Sequence, residues 1–277
     1  MPNSKMKMKI KIFIGAVALL FSTVKTEAQD RSFAYTYQSL TLGKGIRDIE
    51  FWNTVRNGKS NFYRAIDSRL EFETGVANNL QTSFYLNLSQ TQFWEEDSTG
   101  ASGQMQTEPT SLSFSNEWKL KLSDPVANGI GTGLYFEIGV GLKEIELEGK
   151  IILDKKIGKQ LFAFNAVGEF EIEYSADKNS EVVSNSEWHV EQDFGWLYQV
   201  KNCFGFGIEA RNSGVIDDNE LEMSSLFIGP TISFTGEKFW LIISAQPQIV
   251  NLKSAKHELD FDDHTKQELR AIVSFSF

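Results

Sequence analysis

The sequence predicts an all-β fold: a single closed antiparallel transmembrane β-barrel of about 12 strands, preceded by a cleaved signal peptide. Three observations predict it. Apolar and polar residues alternate at a period of two along most of the chain, which sorts side chains onto the two faces of a strand. The connections between these stretches alternate short and long, as they do in bacterial barrels with short periplasmic turns and long outer loops. After residue 28 no apolar run approaches the ~18 residues of a spanning helix, so a chain that crosses the bilayer crosses it as strands.

Residues 1–28 form the expected signal peptide. Lys5, Lys7, Lys9 and Lys11 precede an apolar run from Ile12 to Val24, and Thr26-Glu27-Ala28 offers a small-residue cleavage site. The run is short of the ~20 residues a membrane-spanning helix needs. No Cys follows the cleavage site to carry a lipid.

Residues 29–45 are expected to be an N-terminal arm, periplasmic or inserted into the lumen. Tyr35, Tyr37 and Leu40 would suit another strand, but an odd total would put the two ends of the barrel on opposite sides of the membrane.

The barrel is assigned to residues 46–277, with segments at 46–55, 61–76, 80–92, 108–122, 131–142, 144–154, 160–175, 186–200, 203–212, 221–235, 237–251 and 265–277. Each is near or above the ~9–11 residues a tilted strand needs to cross, and many exceed the ~5–6 of a soluble strand. The alternation is clearest where Leu134, Phe136, Ile138 and Val140 interleave with Tyr135, Glu137 and Gly139, and again where Ile145, Leu147, Ile151 and Leu153 interleave with Glu144, Glu146, Glu148 and Lys150. Short turns at Ala77-Asn78-Asn79, Lys155–Lys159, Lys201-Asn202 and Gly236 exchange with longer polar connections at 93–107, 176–185, 213–220 and 252–264. The tight Leu142–Glu144 connection, on the long-loop side, is the exception. Trp94, Trp118, Trp188, Tyr198 and Trp240 fall toward segment ends, where a membrane-interface girdle wants an apolar ring with a polar edge.

Removing the signal peptide takes away five Lys and one Glu, so a net charge of −10 for the whole chain becomes −14 for the mature one. That acidity excludes nucleic acid as a partner, because binding phosphates requires clustered Lys and Arg. Cys203 is the one cysteine, so the chain holds no internal disulfide.

The chain ends Leu269-Arg270-Ala271-Ile272-Val273-Ser274-Phe275-Ser276-Phe277, an amphipathic strand closing on an aromatic residue. This ending resembles the signal read by the outer-membrane barrel assembly machinery. The resemblance implies Phe275 and Phe277 as the assembly signal, with that machinery and outer-membrane lipid as partners. The stretch from Phe33 through Gln90, with Ile46-Arg47-Asp48-Ile49-Glu50-Phe51-Trp52 and Leu70-Glu71-Phe72-Glu73-Thr74-Gly75-Val76-Ala77-Asn78-Asn79-Leu80-Gln81, resembles an uncharacterised, transporter-like family of Gram-negative outer-membrane barrels. The resemblance runs over most of the mature chain, implies the cell outer membrane as the location, and brings no catalytic motif.

If the apolar faces meet lipid, the lumen inherits the charges. Glu144, Glu146, Glu148, Glu169, Glu171 and Glu173 then form a carboxylate patch on the lumen wall. A hairpin centred near residue 157 sets Glu144 opposite Glu171 and Glu146 opposite Glu169. Like charges directly opposed are destabilising unless water or cations intervene, so the patch would favour cations in a water-filled pore. Alternatively Arg69, Lys119, Lys121, Lys150, Arg211 and Arg270 supply counter-charges that fill the lumen with salt bridges.

His189 shares strand parity with Glu191 and Asp193, but no nucleophile motif accompanies it, so no enzyme activity is expected. His257, Asp260, Asp262, Asp263 and His264 match no metal-ligand spacing and read as a solvated acidic loop. Gly129–Gly133 and Gly205-Phe206-Gly207 lack the strand-to-helix context of a phosphate loop. The expected function is a passive outer-membrane channel or transporter for an unidentified small solute, without cofactor or resident metal. The alternatives are a structural or adhesion barrel with a plugged lumen, and a rim-located hydrolase using His189.

Overall fold

The computed structural model describes residues 31–96, 103–176, 182–253, 258–262 and 264–277. The expected signal peptide lies outside the described residues. The strands are β1 (Arg47–Asn57), β2 (Tyr63–Ala77), β3 (Leu80–Glu96), β4 (Gly103–Thr107), β5 (Ser111–Ser123), β6 (Gly131–Gly141), β7 (Glu144–Ile157), β8 (Gln160–Ala176), β9 (Val182–Lys201), β10 (Phe204–Asp217), β11 (Glu220–Thr235), β12 (Phe239–Asn251) and β13 (Gln267–Ser276).

Every neighbouring pair is antiparallel, and the sheet closes because β1 pairs with β13 as well as with β2. Asp48 faces Ser276 at one end of the seam and Asn57 faces Gln267 at the other. The wall has twelve strands. The short β4 pairs only with the far end of β3, Gln92–Glu96, and continues the line of β5 after a break that contains Pro109. Proline has no N–H for the ladder, so the break falls there.

One face of each strand points outward. On β6, Leu134, Phe136, Ile138 and Val140 are exposed while Tyr135 and Glu137 between them are buried. A soluble barrel would cover the apolar face and leave the charges in water; here the charges are inside. A closed barrel with an apolar outer face satisfies every backbone group without water, which is what lipid demands. At the seam, Phe275 and Phe277 are exposed, and the Phe277 N–H donates to Arg47 O at 3.0 Å.

Four expectations change. The 93–107 connection is largely strand, because β3 runs on to Glu96 and pairs there with β4, so this hairpin extends past the membrane wall. The 213–220 connection is not a long loop: β10 and β11 extend to Asp217 and Glu220, joined by Asp218 and Asn219 with φ of 46° and 65°. Asp and Asn tolerate this left-handed region, so the pair makes a two-residue hairpin turn. The β7–β8 hairpin turns at Gly158-Lys159, with Gly158 at φ 59°, so Glu144, Glu146 and Glu148 face Glu173, Glu171 and Glu169 respectively. The register differs by two residues from the expected one, and a shift of two keeps every side chain on the same face. Trp240 is not a girdle residue; it is 3% exposed and belongs to an inner apolar cluster with Ala34 and Tyr35 of the arm and Trp52, Ile242 and Ile272 of the wall.

That inner apolar cluster exists because the segment Arg31–Leu42 runs inside the barrel at the end with the short turns. Glu209 accepts from the backbone N–H groups of Ala34, Tyr35 and Thr36 at 3.2, 2.8 and 3.0 Å. Asn165 accepts from Tyr37 N at 2.6 Å and donates back to Tyr37 O at 3.0 Å. Asp154 accepts from Ser39 N and Gln81 from Leu42 N. Wall side chains thus supply the backbone partners that a sheet would otherwise give.

The Phe33 ring, fully buried, packs with Leu161, Ala163 and Leu197. It lies over Gly195, where a Cβ would stand 2.8 Å from the ring.

Candidate functional site

Above the arm, toward the long-loop end, the lumen opens into a cavity of about 480 Å³. Its floor is Tyr35 and Tyr37 of the arm, and its walls come from every strand of the cylinder but β11 and β12. Eight carboxylates line it (Asp67, Glu137, Glu144, Glu146, Glu148, Glu169, Glu191 and Asp193) against five permanent cations (Arg56, Arg69, Lys150, Arg211 and Arg270).

The two signs are largely segregated, with Asp67 of β2 beside Arg56 and Lys150 of β7 beside Glu148 as the exceptions. In the closed order of strands β8 stands diametrically opposite β1. Glu144, Glu146 and Glu148 come from β7, Glu169 from β8, and Glu191 and Asp193 from β9. Across from them Arg56 comes from β1, Arg69 from β2 and Arg270 from β13. A solute in the cavity therefore sits in a field running across the barrel, which low-dielectric walls concentrate.

The arginine side is built on aromatic rings. Arg270 lies 3.9 Å over the Tyr35 ring, and its Nε donates to Thr54 Oγ1 at 2.8 Å. Arg69 stacks 4.1 Å over Tyr85 and donates to Asn87 Oδ1 at 2.7 Å, with Glu137 3.6 Å away. Arg211 bridges Glu268 at 2.6 Å and Glu191 at 3.3 Å, and Arg56 pairs with Asp67 at 2.9 Å. Tyr37 is the hub of the floor: Arg31 lies 3.9 Å over its ring, Lys150 lies 4.5 Å away, and the Tyr135 ring meets it edge-on at 5.1 Å.

On the acidic side Lys150 pairs with Glu148 at 2.9 Å, and His189 Nε2 lies 3.3 Å from Glu171 and 2.9 Å from Glu187. Among the described residues no Lys or Arg lies within ion-pair distance of Glu144, Glu146, Glu169 or Glu173. Glu173 is exposed nearer the rim and does not line the cavity. Of the expected counter-charges, Arg69, Lys150, Arg211 and Arg270 line the cavity; Lys119 is buried beneath it, with Nζ 5.9 Å from the centre of the Tyr37 ring. Lys121 lies outside the cavity at the turn end of β5.

In the last long connection Asp260 accepts from Asn251 and Asp262 from Ser60, so these carboxylates tie the loop down. His264 packs edge-on against the buried Phe227 ring at 5.8 Å. His257 and Asp263 lie outside the described residues.

The residues that sequence reasoning missed are Glu209, Asn165, Arg31 and Arg56. Glu209 carried a usable signal, since it shares strand parity with Arg211 and therefore the lumen face. Nothing in the pattern showed that its partner would be the arm backbone.

The fold matches solved outer-membrane barrels at low sequence identity. The COG4313 outer membrane channel from Pseudomonas putida F1 aligns with a TM-score of 0.56 at 10% identity, covering 91% of this chain and all of that one. The NanC porin aligns at 0.51 and 10% identity, with 83% of this chain and 100% of the porin covered. The translocator domain of the autotransporter NalP from Neisseria meningitidis aligns at 0.53 and 8% identity, over 99% of this chain and 96% of that domain. No curated protein matches the chain. The chain belongs to a family of unknown function, DUF6662, whose model matches residues 25–277. With its closed wall and apolar outer face, it is an outer-membrane β-barrel.

Proposed function

We propose that this member of the family is a cation-favouring outer-membrane channel for small hydrophilic solutes, closed on the turn side by its own N-terminal arm. The observation that carries the reading is the cavity of about 480 Å³, in which eight carboxylates outnumber five permanent cations. A cavity of this size accommodates a small hydrated solute, and the excess of fixed negative charge raises the local concentration of cations. The segregation of charge favours solutes that carry both signs, which align with the field across the barrel.

The arm supports gating over permanent closure. Much of its anchorage consists of single wall side chains holding individual backbone groups, where a structural plug would be woven into the sheet. Residues 29–45 thus act as the gate, the acidic wall of β7, β8 and β9 as the selectivity surface, and no step of covalent chemistry is assigned. The aromatic end at Phe275 and Phe277 serves assembly.

The test is planar-bilayer recording of the refolded protein in a salt gradient. The expected result is channel openings whose reversal potential has the cation sign. An anion sign overturns the selectivity, and no ion flux from either the intact protein or a Glu209→Ala variant overturns the channel in favour of a plugged structural barrel.

A further inference from the structure

We propose that the acidic wall holds a divalent transition-metal ion, with His189 Nε2 and carboxylate oxygens of Glu169 and Glu171 as its ligands. The inference rests on the reading of the barrel as a cation-favouring channel and names the class of cation. One donor atom from each of Glu169, Glu171 and His189 lies within 4.8 Å of the others. Bonds of about 2.0–2.2 Å to nitrogen and oxygen bring such a set around one ion with small side-chain movements.

The backbone already holds the donors in place. Glu169 stands directly opposite His189, and Glu171 directly opposite Glu187. Two ligands therefore rise from alternate positions of β8 and meet one from β9 on a continuous ladder, a more rigid support than a loop. Glu187 Oε1, 2.9 Å from His189 Nε2, is in place to join as a fourth donor once the ion replaces the proton on that nitrogen.

Three further observations point to a ligand. First, Glu144, Glu146 and Glu171 form a second set within 4.8 Å, sharing Glu171 with the first. Second, the wall is cut away for these carboxylates: a Cβ on Gly139 would stand 2.7 Å from Glu146 Oε2, and one on Gly141 2.8 Å from Glu144 Oε1. Third, further down the same face of β9 and outside the ligand set, Asp193 is 2% exposed and its Oδ1 has no hydrogen-bond partner, so unanswered carboxylate continues along this wall.

The hairpin β7–β8 opposes three successive pairs of glutamates on this face, Glu144 with Glu173, Glu146 with Glu171 and Glu148 with Glu169. Lys150 answers Glu148, and His189 answers Glu171, which leaves more negative charge than fixed positive charge. A bound dication resolves that excess. The imidazole nitrogen selects its kind, because Ca²⁺ and Mg²⁺ take oxygen ligands whereas Zn²⁺, Co²⁺ and Ni²⁺ accept nitrogen with carboxylate.

The experiment titrates Zn²⁺ and Co²⁺ into the refolded full-length protein in detergent, followed by calorimetry for the first and by visible d–d absorption for the second. The expected result is one ion per barrel. His189→Ala should weaken binding at least about tenfold, Glu171→Gln should do likewise, and millimolar Ca²⁺ should not displace the ion. Heat-modifiable gel migration shows that each variant has folded; if His189→Ala does not, His189→Gln and Glu169→Gln carry the same comparison.

Equal Zn²⁺ binding by the wild type and the His189 variant, or displacement by Ca²⁺, overturns the site. Because the titration needs no ion flux, a barrel that binds zinc but does not conduct loses the channel reading and keeps the site. One that conducts cations but binds no zinc loses the site alone.

Discussion

Replacing Glu209 by alanine should release the arm and open the barrel. The Glu209 carboxylate is fully buried and accepts three backbone N–H groups, from Ala34 at 3.2 Å, Tyr35 at 2.8 Å and Thr36 at 3.0 Å. Removing it strands three buried donors, each at about 1–3 kcal/mol, so the seated arm loses roughly 3–9 kcal/mol before water entering the vacated space returns part of it. The remaining polar anchors, among them Asn165, Asp154, Gln81, the Tyr35 hydroxyl on Glu268 and Arg270 on Ala34 O, contribute about 1 kcal/mol per bond. The balance therefore moves toward an unseated arm. Glu209→Gln keeps one acceptor oxygen and should fall between the two.

Single-channel recording and limited trypsinolysis read the same event. Arg31 is 5% exposed inside the lumen, so trypsin reaches the bond after it only when the arm leaves. The alanine variant should show higher open probability and cleavage after Arg31, with the barrel still heat-modifiable. Unchanged conductance together with continued protection of Arg31 would refute the reasoning.

Other outcomes follow from the same geometry. Phe33→Ala removes a ring buried against Leu161, Ala163 and Leu197, at a cost of about 3–5 kcal/mol to the seated arm, and trypsin should again find Arg31. Gly195→Val should reproduce that effect from the wall side, because even a Cβ there meets the Phe33 ring at 2.8 Å; full protection of Arg31 in this variant would show that the ring has room elsewhere. The pair Glu144→Gln and Glu146→Gln should move the reversal potential in a salt gradient toward zero, and no movement would take these residues out of the selectivity surface. Asp124 Oδ1 accepts from the N–H groups of Val126 and Ala127 at 2.9 and 3.0 Å, and those bonds hold its pKa below the ordinary aspartate value. Its contribution to the turn is thus complete above that ordinary value and is lost as pH falls through the depressed one. The Val126 and Ala127 amide shifts should inflect there in an NMR titration, and inflection at or above the ordinary value would show the bonds to be absent in solution.

Much of the wall was legible because period-two patterning is a local property. A strand in lipid must present Leu134, Phe136, Ile138 and Val140 to one side and its polar residues to the other, whatever its neighbours are. The same parity placed the glutamates of β7 and β8 inside, and that placement survived a register differing by two residues. Trp240 shows the limit of such reading: an indole near a strand end suits a lipid interface and an apolar lumen equally, and only the arm packed beneath it makes the second choice favourable. The 213–220 stretch failed for a related reason, since polar residues in a strand that extends beyond the membrane look like a loop.

That the chain forms an outer-membrane barrel, which stretches become its strands and which face of each is charged could be read along the chain, because alternation, strand length and the order of turns depend on near neighbours. What fills the barrel could not be read that way. Whether Glu209 would hold the arm backbone, whether Arg270 would meet a carboxylate or stack on Tyr35, and whether His189 would come within reach of Glu171 all depend on residues far apart in sequence. Closure of the cylinder alone sets which of them meet.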